Sequence, residues 1–327
     1  MLGRLVNDVL SEMPPEFPWG DTLPLFRQAD VRVCNLECVI SDRGSPWKRT
    51  PKAFHFRTDA KNVQVLKAAR MDAVSNANNH ALDFESEALS DMLTILDKKN
   101  IARAGAGRDL AEASRPAFFE RGGKRTALVS FTDNEPAWEA TERDPGVFHV
   151  PVDPKDTRAE KLFGLVKTAR PHADIVIVSA HWGPNWGYRP KKRHIPFGRL
   201  LIENGADIVF GHSCHVFQGI EIYKGGVILY STGNFVDDYA VNEEERNDES
   251  FIFIVEIEEG RISRIRLYPT LIRYMQAGIA PPGLAEKIAE KMRTLCAEFG
   301  TEAMWDEAGH CLEIPLKGRM PSSPLAQ

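Results

Sequence analysis

Three histidines of this 327-residue chain follow short apolar segments that predict buried strands. Residues 207–210 predict one strand, which leads into His212 and His215, and residues 175–180 predict another, which ends at His181. A single buried histidine is more often a core residue with satisfied hydrogen bonds than a ligand. Because open α/β sheets bind their ligands at the carboxyl ends of strands, three histidines at strand ends favour one shared binding site.

Two further predicted strands bring oxygen ligands to the same edge of the sheet. Residues 31–34 predict a strand that is followed by Glu37. Residues 72–75 predict a strand that is followed by three asparagines and a histidine within five positions, among them Asn79 and His80. Such a polar segment suits neither a helix interior nor a strand, so we interpret it as a binding segment. An elaborate loop or a helix cap is the alternative.

These ligand types predict a divalent metal ion. Carboxylate oxygen, amide oxygen and imidazole nitrogen together suit manganese, iron or zinc, as one or two ions. They differ from the cysteine-rich set of a closed structural zinc site. A bound ion would lower the pKa of a water molecule and polarise a phosphoryl oxygen. The predicted metal ligands are Glu37, Asn79, His181, His212 and His215.

A histidine that does not bind the ion could protonate the leaving group of such a reaction. His80 is the candidate for this role, because Asp83 lies three residues further on and could orient the imidazole ring. The predicted catalytic residues are therefore His80 and Asp83.

Composition narrows the class of partner. The chain is 43% hydrophobic and 27% charged, with a net charge of −5 and a pI near 6.0, which argues against nucleic acid or an anionic membrane as the main partner. A small molecule or a polymer is the expected substrate.

The sequence has no apolar run of about 20 residues and no leader with a charged start and an apolar centre. Its five cysteines lack C-x-x-C spacing, which predicts reduced thiols and a cytoplasmic location. Cys34 and Cys38 bracket Glu37, and we expect them to fill the core rather than bind a ligand.

The periodicity predicts one mixed α/β domain with two packed sheets and helices outside. Strands and helices alternate over the first two-thirds, and residues 251–257 and 261–268 predict an antiparallel hairpin near the end. Residues 132–151 lack a clear period and are a candidate lid or binding loop. The tail after Ile314 is expected to be mobile. The predicted helices cover residues 59–70, 84–99, 156–170, 196–204 and 284–299.

Five motifs, in order and with compatible spacing over roughly residues 1–255, resemble the capsule-synthesis family called CapA. That family includes poly-γ-glutamate biosynthesis proteins and has a calcineurin-like metallophosphatase fold. The motifs are N-L-E at residues 35–37, S-N-A-N-N-H-A-L-D at 75–83, H-W-G at 181–183, G-H-x-x-H-V-x-Q-G-x-E at 211–221 and Y-S-x-G-N-F at 230–235.

The resemblance implies an α/β/β/α sandwich, with a metallophosphatase-like domain at residues 1–270 and a C-terminal helix and tail, residues 271–327, packed on it. It implies that Asn79 and His80 supply a metal ligand and a general acid, and that Glu37 replaces the bridging carboxylate. The implied function is capsule biosynthesis with a metal-dependent hydrolase site for phosphoesters or related bonds. A non-catalytic assembly component that retains the fold is the alternative. Other capsule-synthesis proteins are possible partners in both cases.

Three departures from the family pattern lie near the predicted site. Asn185 stands where the family usually has glutamate, which removes a charge. The central H-H-P-H of the family is His212-Ser213-Cys214-His215 in this chain, and Glu85 replaces a usual glycine. The last two changes spare the predicted ligands.

The family pattern Gly-Asp-x-Met-Leu-Gly-Arg matches this chain from Met1 to Arg4. The resemblance therefore predicts an apolar first strand ending in Gly-Asp just upstream, and a leader or membrane anchor could precede it. A family member that has lost this strand is the alternative. In the form given, the chain would bind the first metal weakly, with His215 as its main remaining ligand.

Overall fold

The computed structural model describes residues 1–316. Short 3-10 helices cover Phe17–Thr22, Ala60–Asn62, Pro136–Trp138 and Arg170–His172. The α-helices of this part of the chain are α1 (Leu5–Val9), α2 (Leu23–Gln28), α3 (Val63–Ala68), α4 (Glu85–Lys98), α5 (Leu110–Ser114), α6 (Thr157–Ala169), α7 (His194–Glu203) and α8 (Pro282–Ala297).

The strands fall into three larger sheets and two small pairs. Their bounds are β1 (Val33–Asn35), β2 (Val39–Ile40), β3 (Arg57–Thr58), β4 (Ala73–Ser75), β5 (Ala102–Ala104), β6 (Ala106–Gly107), β7 (Ala117–Arg121), β8 (Lys124–Thr132), β9 (Gly146–Val147), β10 (Ile175–His181), β11 (Ile208–His212), β12 (Ile220–Tyr223), β13 (Gly226–Leu229), β14 (Glu249–Glu258), β15 (Arg261–Arg273), β16 (Gln276–Ile279), β17 (Met304–Asp306) and β18 (Cys311–Pro315).

A six-stranded sheet is the first central layer, in the order β12-β13-β11-β10-β8-β7. Its four middle strands are parallel, and their apolar residues face both ways, as expected for strands that are buried on both faces. On the outer face Val129, Val178 and Val209 pack against the apolar sides of α6 and α7. This is the helical layer on one side of the sandwich.

The second β layer consists of two separate sheets that pack on the inner face of the first. One is three-stranded, β1-β4-β5, and the other runs β14-β15-β18-β17 with β16 beside β15. Leu128 and Ile177 of the first layer share a core with Ile265 and Leu267 of β15 and with Ala73 of β4. Helices α3 and α4 cover the outer face of the three-stranded sheet. The predicted two-sheet α/β/β/α sandwich is thus confirmed, with its second layer in two pieces.

Most predicted elements are present within one to three residues of their expected bounds. The predicted helix over residues 59–70 is shorter, because it opens as a 3-10 turn and its α-helical part is α3. Strands β5 and β12 and the late strands β16, β17 and β18 were not predicted from the sequence. These strands are three to five residues long, too short for a period of two to stand out.

The segment at residues 132–151 is largely irregular, as predicted, with a 3-10 turn and the two-residue strand β9. Its Trp138 is buried against Trp47, with ring centroids 5.4 Å apart. A lid role for this segment stays a prediction.

The domain division at residue 270 also stays a prediction, and β15 crosses that position. The tail predicted to be mobile lies, beyond Leu316, outside the described residues.

Within residues 1–316, none of the helices combines the length and the apolar character that crossing a membrane requires.

Candidate metal centre and acid–base pair

Two of the predicted ligands are the last residues of neighbouring parallel strands. His181 ends β10 and His212 ends β11, and the register pairs them directly. Their Nδ1 atoms lie 2.8 Å apart, so one ring donates a hydrogen bond to the other. The Nε2 of His212 also has a partner, the Ser179 hydroxyl at 2.7 Å. Both nitrogens of His212 are therefore engaged within the protein, whereas His181 keeps Nε2 available.

The Nε2 atom of His181 is buried and has no hydrogen-bond partner. It lies 3.9 Å from Oε1 of Glu37, whose other oxygen accepts a hydrogen bond from the Asn35 amide at 2.9 Å. Two ligand atoms that are each about 2.1 Å from one ion lie about 3–4 Å apart, so this gap fits a shared ion. Burial, reinforced by the positive charges of neighbouring side chains, holds the pKa of His181 well below its usual 6.5. The ring is thus neutral at pH 7, the form that binds metals.

The loop after β4 brings Asn79, His80 and Asp83 together. Nδ1 of His80 is 2.6 Å from Oδ2 of Asp83, and both side chains are buried. The Phe56 amide donates to the same Asp83 oxygen, and the Phe56 ring packs edge-on against the imidazole with centroids 4.7 Å apart. The predicted orientation of His80 by Asp83 is therefore present. The side-chain oxygen of Asn79 is buried without a partner, a second free ligand atom.

His215 follows the turn after β11. Its Nδ1 atom lies 2.8 Å from the Asn234 side-chain oxygen, and its backbone N–H donates to the Asn185 carbonyl. The turn itself is under backbone strain, because Ser213 has a φ of 104°, a value that favours glycine. Asn185, the position where the charge is lost, thus supports His215 through its main chain.

The predicted residues fit a metal to different degrees. Orphaned buried atoms on His181 and Asn79, together with the Glu37 oxygen, are the donor types that suit a divalent ion. His212 is turned into contacts with the protein on both sides. The five ligand assignments therefore stay predictions.

In residues 1–316, one group of three acidic, thiol or imidazole side chains lies close enough together to hold an ion as placed. It consists of Asp306, Cys311 and Glu313, on β17 and β18. Glu313 already forms ion pairs with Arg264 and Arg266. This group is on the late strands and does not include the predicted ligands.

Two titratable residues beside the site were not predicted from the sequence. The side chain of Lys52 is buried. Its ammonium donates to the Asn79 carbonyl at 2.6 Å and lies 3.4 Å from Oδ1 of Asp83. Asp237 is buried with one oxygen unpartnered, and burial, aided by Asp238 and Glu37, raises its pKa to about 7. No spacing signal marked Lys52. Asp237 could have been found, because it closely follows the Y-S-x-G-N-F motif.

Comparison with known proteins identifies the family. The family model described as "Bacterial capsule synthesis protein PGA_cap" matches residues 1–239. This chain belongs to the PGA_cap family. The PGA biosynthesis protein CapA of Bacillus subtilis is 31% identical, and the match covers 91% of this chain and 75% of that protein. The capsule biosynthesis protein CapA of Bacillus anthracis is 25% identical over 97% of this chain and 75% of that protein.

Other relatives carry related names. A probable polyglutamine synthesis accessory protein of Mycobacterium tuberculosis is 31% identical over 87% of this chain and 77% of its own length. Among solved structures, a phosphatase from Mycoplasma pneumoniae matches 79% of this chain and 83% of its own at 13% identity, with a TM-score of 0.43. The membership in PGA_cap rests on the family model and the sequence relatives.

Proposed function

We propose that this PGA_cap protein is a metal-dependent hydrolase of a phosphoester or related bond. The observation that carries the proposal is the unpartnered Nε2 of His181 facing Glu37 at 3.9 Å. The oriented pair of His80 and Asp83 supports it, because the pair supplies an acid–base group near these ligands. Leaving the buried Nε2 of His181 and side-chain oxygen of Asn79 without partners is costly unless a ligand satisfies them.

The predicted ligands would share one role in this proposal, which is to bind the metal. Glu37, Asn79, His181 and His215 would hold a divalent ion such as manganese, iron or zinc, as one or two ions. His212 would join them by exchanging the contact of its Nε2 with Ser179 for the ion. When bound, the ion would polarise the scissile bond and lower the pKa of a water molecule.

His80 would transfer the proton in this reaction. Since Asp83 holds Nδ1 of His80, Nε2 is the nitrogen that gives a proton to the leaving oxygen. The Lys52 ammonium lies 3.4 Å from the other oxygen of Asp83 and forms an ion pair with it.

A second function is favoured by one observation. Both nitrogens of His212 have protein partners, so the ligand set is smaller than the sequence suggests. A non-catalytic component of capsule assembly that keeps the fold, with at most one ion, is consistent with this arrangement.

The names of the relatives indicate the pathway in which either function would operate. They describe PGA, polyglutamine and capsule synthesis, in one case as an accessory protein. We propose that this chain works with other synthesis proteins on a polymer or a small precursor, and that it does so in the cytoplasm.

The test is metal analysis of the purified full chain, combined with a phosphodiester assay in the presence of manganese, iron or zinc. The hydrolase proposal expects stoichiometric metal and turnover in the wild type. His181→Gln should lose both, and the exposed His172→Gln is the matched control that should lose neither. Bound metal without turnover on phosphoester substrates would favour the assembly component, and no metal binding at all would refute the site.

A further inference from the structure

An aromatic side chain at the surface lies directly against one of the predicted metal ligands. Trp186, in the loop between β10 and α7, has its ring centroid 5.6 Å from that of His215. Tyr239 packs edge-on against the same imidazole, with centroids 4.9 Å apart. Both distances fall in the range of about 4.5–7 Å at which aromatic pairs attract each other. The imidazole of His215 therefore links Trp186 to the half-buried Tyr239.

The indole of Trp186 is open to solvent. Trp186 is 44% exposed, although His215 beside it is only 7% exposed. In the part of the chain that the structure describes, His215 is the one aromatic ring packed on Trp186, and no arginine or lysine stacks on the indole. A large apolar ring left in water gives up the free energy of its burial. An exposed ring at the edge of a polar site is therefore a candidate contact for a ligand.

The backbone on both sides of Trp186 is anchored to the segment that carries the site. The Asn185 carbonyl accepts a hydrogen bond from the His215 N–H at 2.8 Å. The Gly187 carbonyl accepts one from the Gln218 side-chain amide at 2.7 Å. A single exposed ring on a surface loop needs no explanation, but this ring is held at a fixed place beside the predicted ligands. A preorganised contact loses little conformational freedom when a ligand binds.

A second exposed ring near the site has less free surface. Phe54 is 48% exposed and packs against Tyr239, with centroids 5.9 Å apart. The guanidinium of Arg4 lies over the Phe54 ring, 4.9 Å from its centroid. Since a cation already covers one face of Phe54, Trp186 is the ring that is more available to a ligand.

The surroundings of Trp186 define the chemistry of the group that it can bind. An aromatic face binds another flat ring by offset or edge-on stacking. An alkyl group has no ring quadrupole for this stacking, and a sugar ring carries hydroxyl groups that need polar partners. The same loop continues into the exposed Lys191 and Lys192, which favour an anionic molecule. A planar ring attached to a phosphoester has both features.

We propose that Trp186 is a stacking platform for a planar aromatic ring, such as a nucleobase or an aryl group, that the substrate carries next to its phosphoester. The phosphoester lies at the candidate metal centre, and the ring lies on the indole. The inference rests on the proposed hydrolase function and adds a class of substrate to it. Trp186 determines specificity in this arrangement and takes no part in proton transfer.

The test measures the binding of two small probes to the full chain loaded with manganese. Phenylphosphonate carries a ring on its phosphorus atom and methylphosphonate does not, and neither contains an ester bond to hydrolyse. Isothermal titration calorimetry should show that the wild type binds phenylphosphonate at least about tenfold more tightly, because the stacked ring adds a favourable contact. Trp186→Ala and Trp186→Leu should both reduce this preference to less than about threefold.

Two further variants and a third probe sharpen the test. Trp186→Phe keeps an aromatic ring and should retain most of the preference. Tyr274→Ala removes a ring that is 89% exposed on the turn between β15 and β16, and it should retain all of the preference. The same preference in the wild type and in Trp186→Ala would overturn the platform. An undiminished preference in Trp186→Leu would overturn the aromatic class of ligand, as would tighter binding of glucose 1-phosphate than of phenylphosphonate.

The two probes also separate this inference from the proposed hydrolase function. Equal affinity of the wild type for both probes would refute the ring-binding role of Trp186 and leave the phosphate-binding centre intact. Binding of neither probe, with no manganese retained by the protein, would refute the centre itself and the platform with it.

Discussion

At the scale of single residues, the hydrogen bond between His80 and Asp83 separates two roles that an imidazole can have near a metal. With Nδ1 held by Asp83, His80 is positioned as an acid and not as a ligand. We therefore expect His80→Gln to lower turnover by about 10²–10⁴-fold while the metal content of the protein stays unchanged. Activity assays and metal analysis on the same preparation measure both quantities. Loss of the metal in this variant would instead make His80 a ligand.

We expect the buried His194 to make the stability of the fold depend on pH. It is buried and stacks on Trp182 at 5.0 Å, and burial, with Arg193 and Lys191 nearby, lowers its pKa to about 4. A histidine with a lowered folded-state pKa stabilises the fold above its unfolded pKa of about 6.5 and loses that contribution as the pH falls toward 4. We expect His194 to account for about 2 kcal/mol of lost stability between pH 8 and pH 5.

Urea unfolding of wild type and His194→Gln at the two pH values measures this contribution. The variant should be less stable at pH 8 but should lose about 2 kcal/mol less than the wild type on acidification. His172→Gln, at an exposed position, is the control and should follow the wild type. Identical acid losses in all three proteins would show that His194 does not couple to folding.

At the scale of elements, Glu85 stands at a strained helix start. It is the first residue of α4 and has a φ of 63°, in the left-handed region that costs most residues about 1 kcal/mol or more. Its carboxylate pairs with exposed Arg49, a contact that contributes little. Glu85→Gly should therefore raise the free energy of unfolding by about 0.5–1 kcal/mol, measured by urea unfolding. Glu85→Ala keeps the strain, and a stabilisation as large as that of glycine would contradict this account.

Several elements of the site could be predicted from the sequence because strand ends are marked locally. Apolar β-branched runs located β10 and β11, and their parallel pairing then placed His181 beside His212. The engagement of His212 with Ser179 could not be predicted, since it depends on the rotation of one ring. Lys52 was missed for a similar reason, because its contact with Asn79 joins residues 27 positions apart in the sequence.

The late part of the fold was predicted less completely. The hairpin β14–β15 stood out because both strands are long and β-branched. Strand β18 is five residues long and carries Glu313 and Pro315, so its pairing with β15 is decided by tertiary contacts rather than by local pattern.

At the scale of the whole molecule, Leu312 joins the last strand to the common core. It is buried opposite Leu267 of β15, on the far side of the predicted boundary at residue 270. Leu312→Ala should lower the free energy of unfolding by about 2–5 kcal/mol, through lost burial and a new cavity. Leu5→Ala, at a half-exposed position, should change it by less than about 0.5 kcal/mol.

The shape of the unfolding curve tests whether the C-terminal region packs on the same domain. If it does, circular dichroism and tryptophan fluorescence should report one coincident transition, and Leu312→Ala should shift it as a whole. A shift confined to a separate, smaller transition would show that residues beyond 270 unfold independently.

Within residues 1–316, strand β14 pairs with β15 only, and its other edge bears on the solubility of this protein. Unpaired strand edges are templates on which other chains can add, and natural proteins guard them with charged side chains. Strand β14 ends at exposed Glu258, followed by exposed Glu259, directly after the apolar run that includes Val255 and Ile257. We therefore expect Glu258 and Glu259 to oppose association between chains at high concentration. Replacing both with valine should make the protein form sheet-like aggregates.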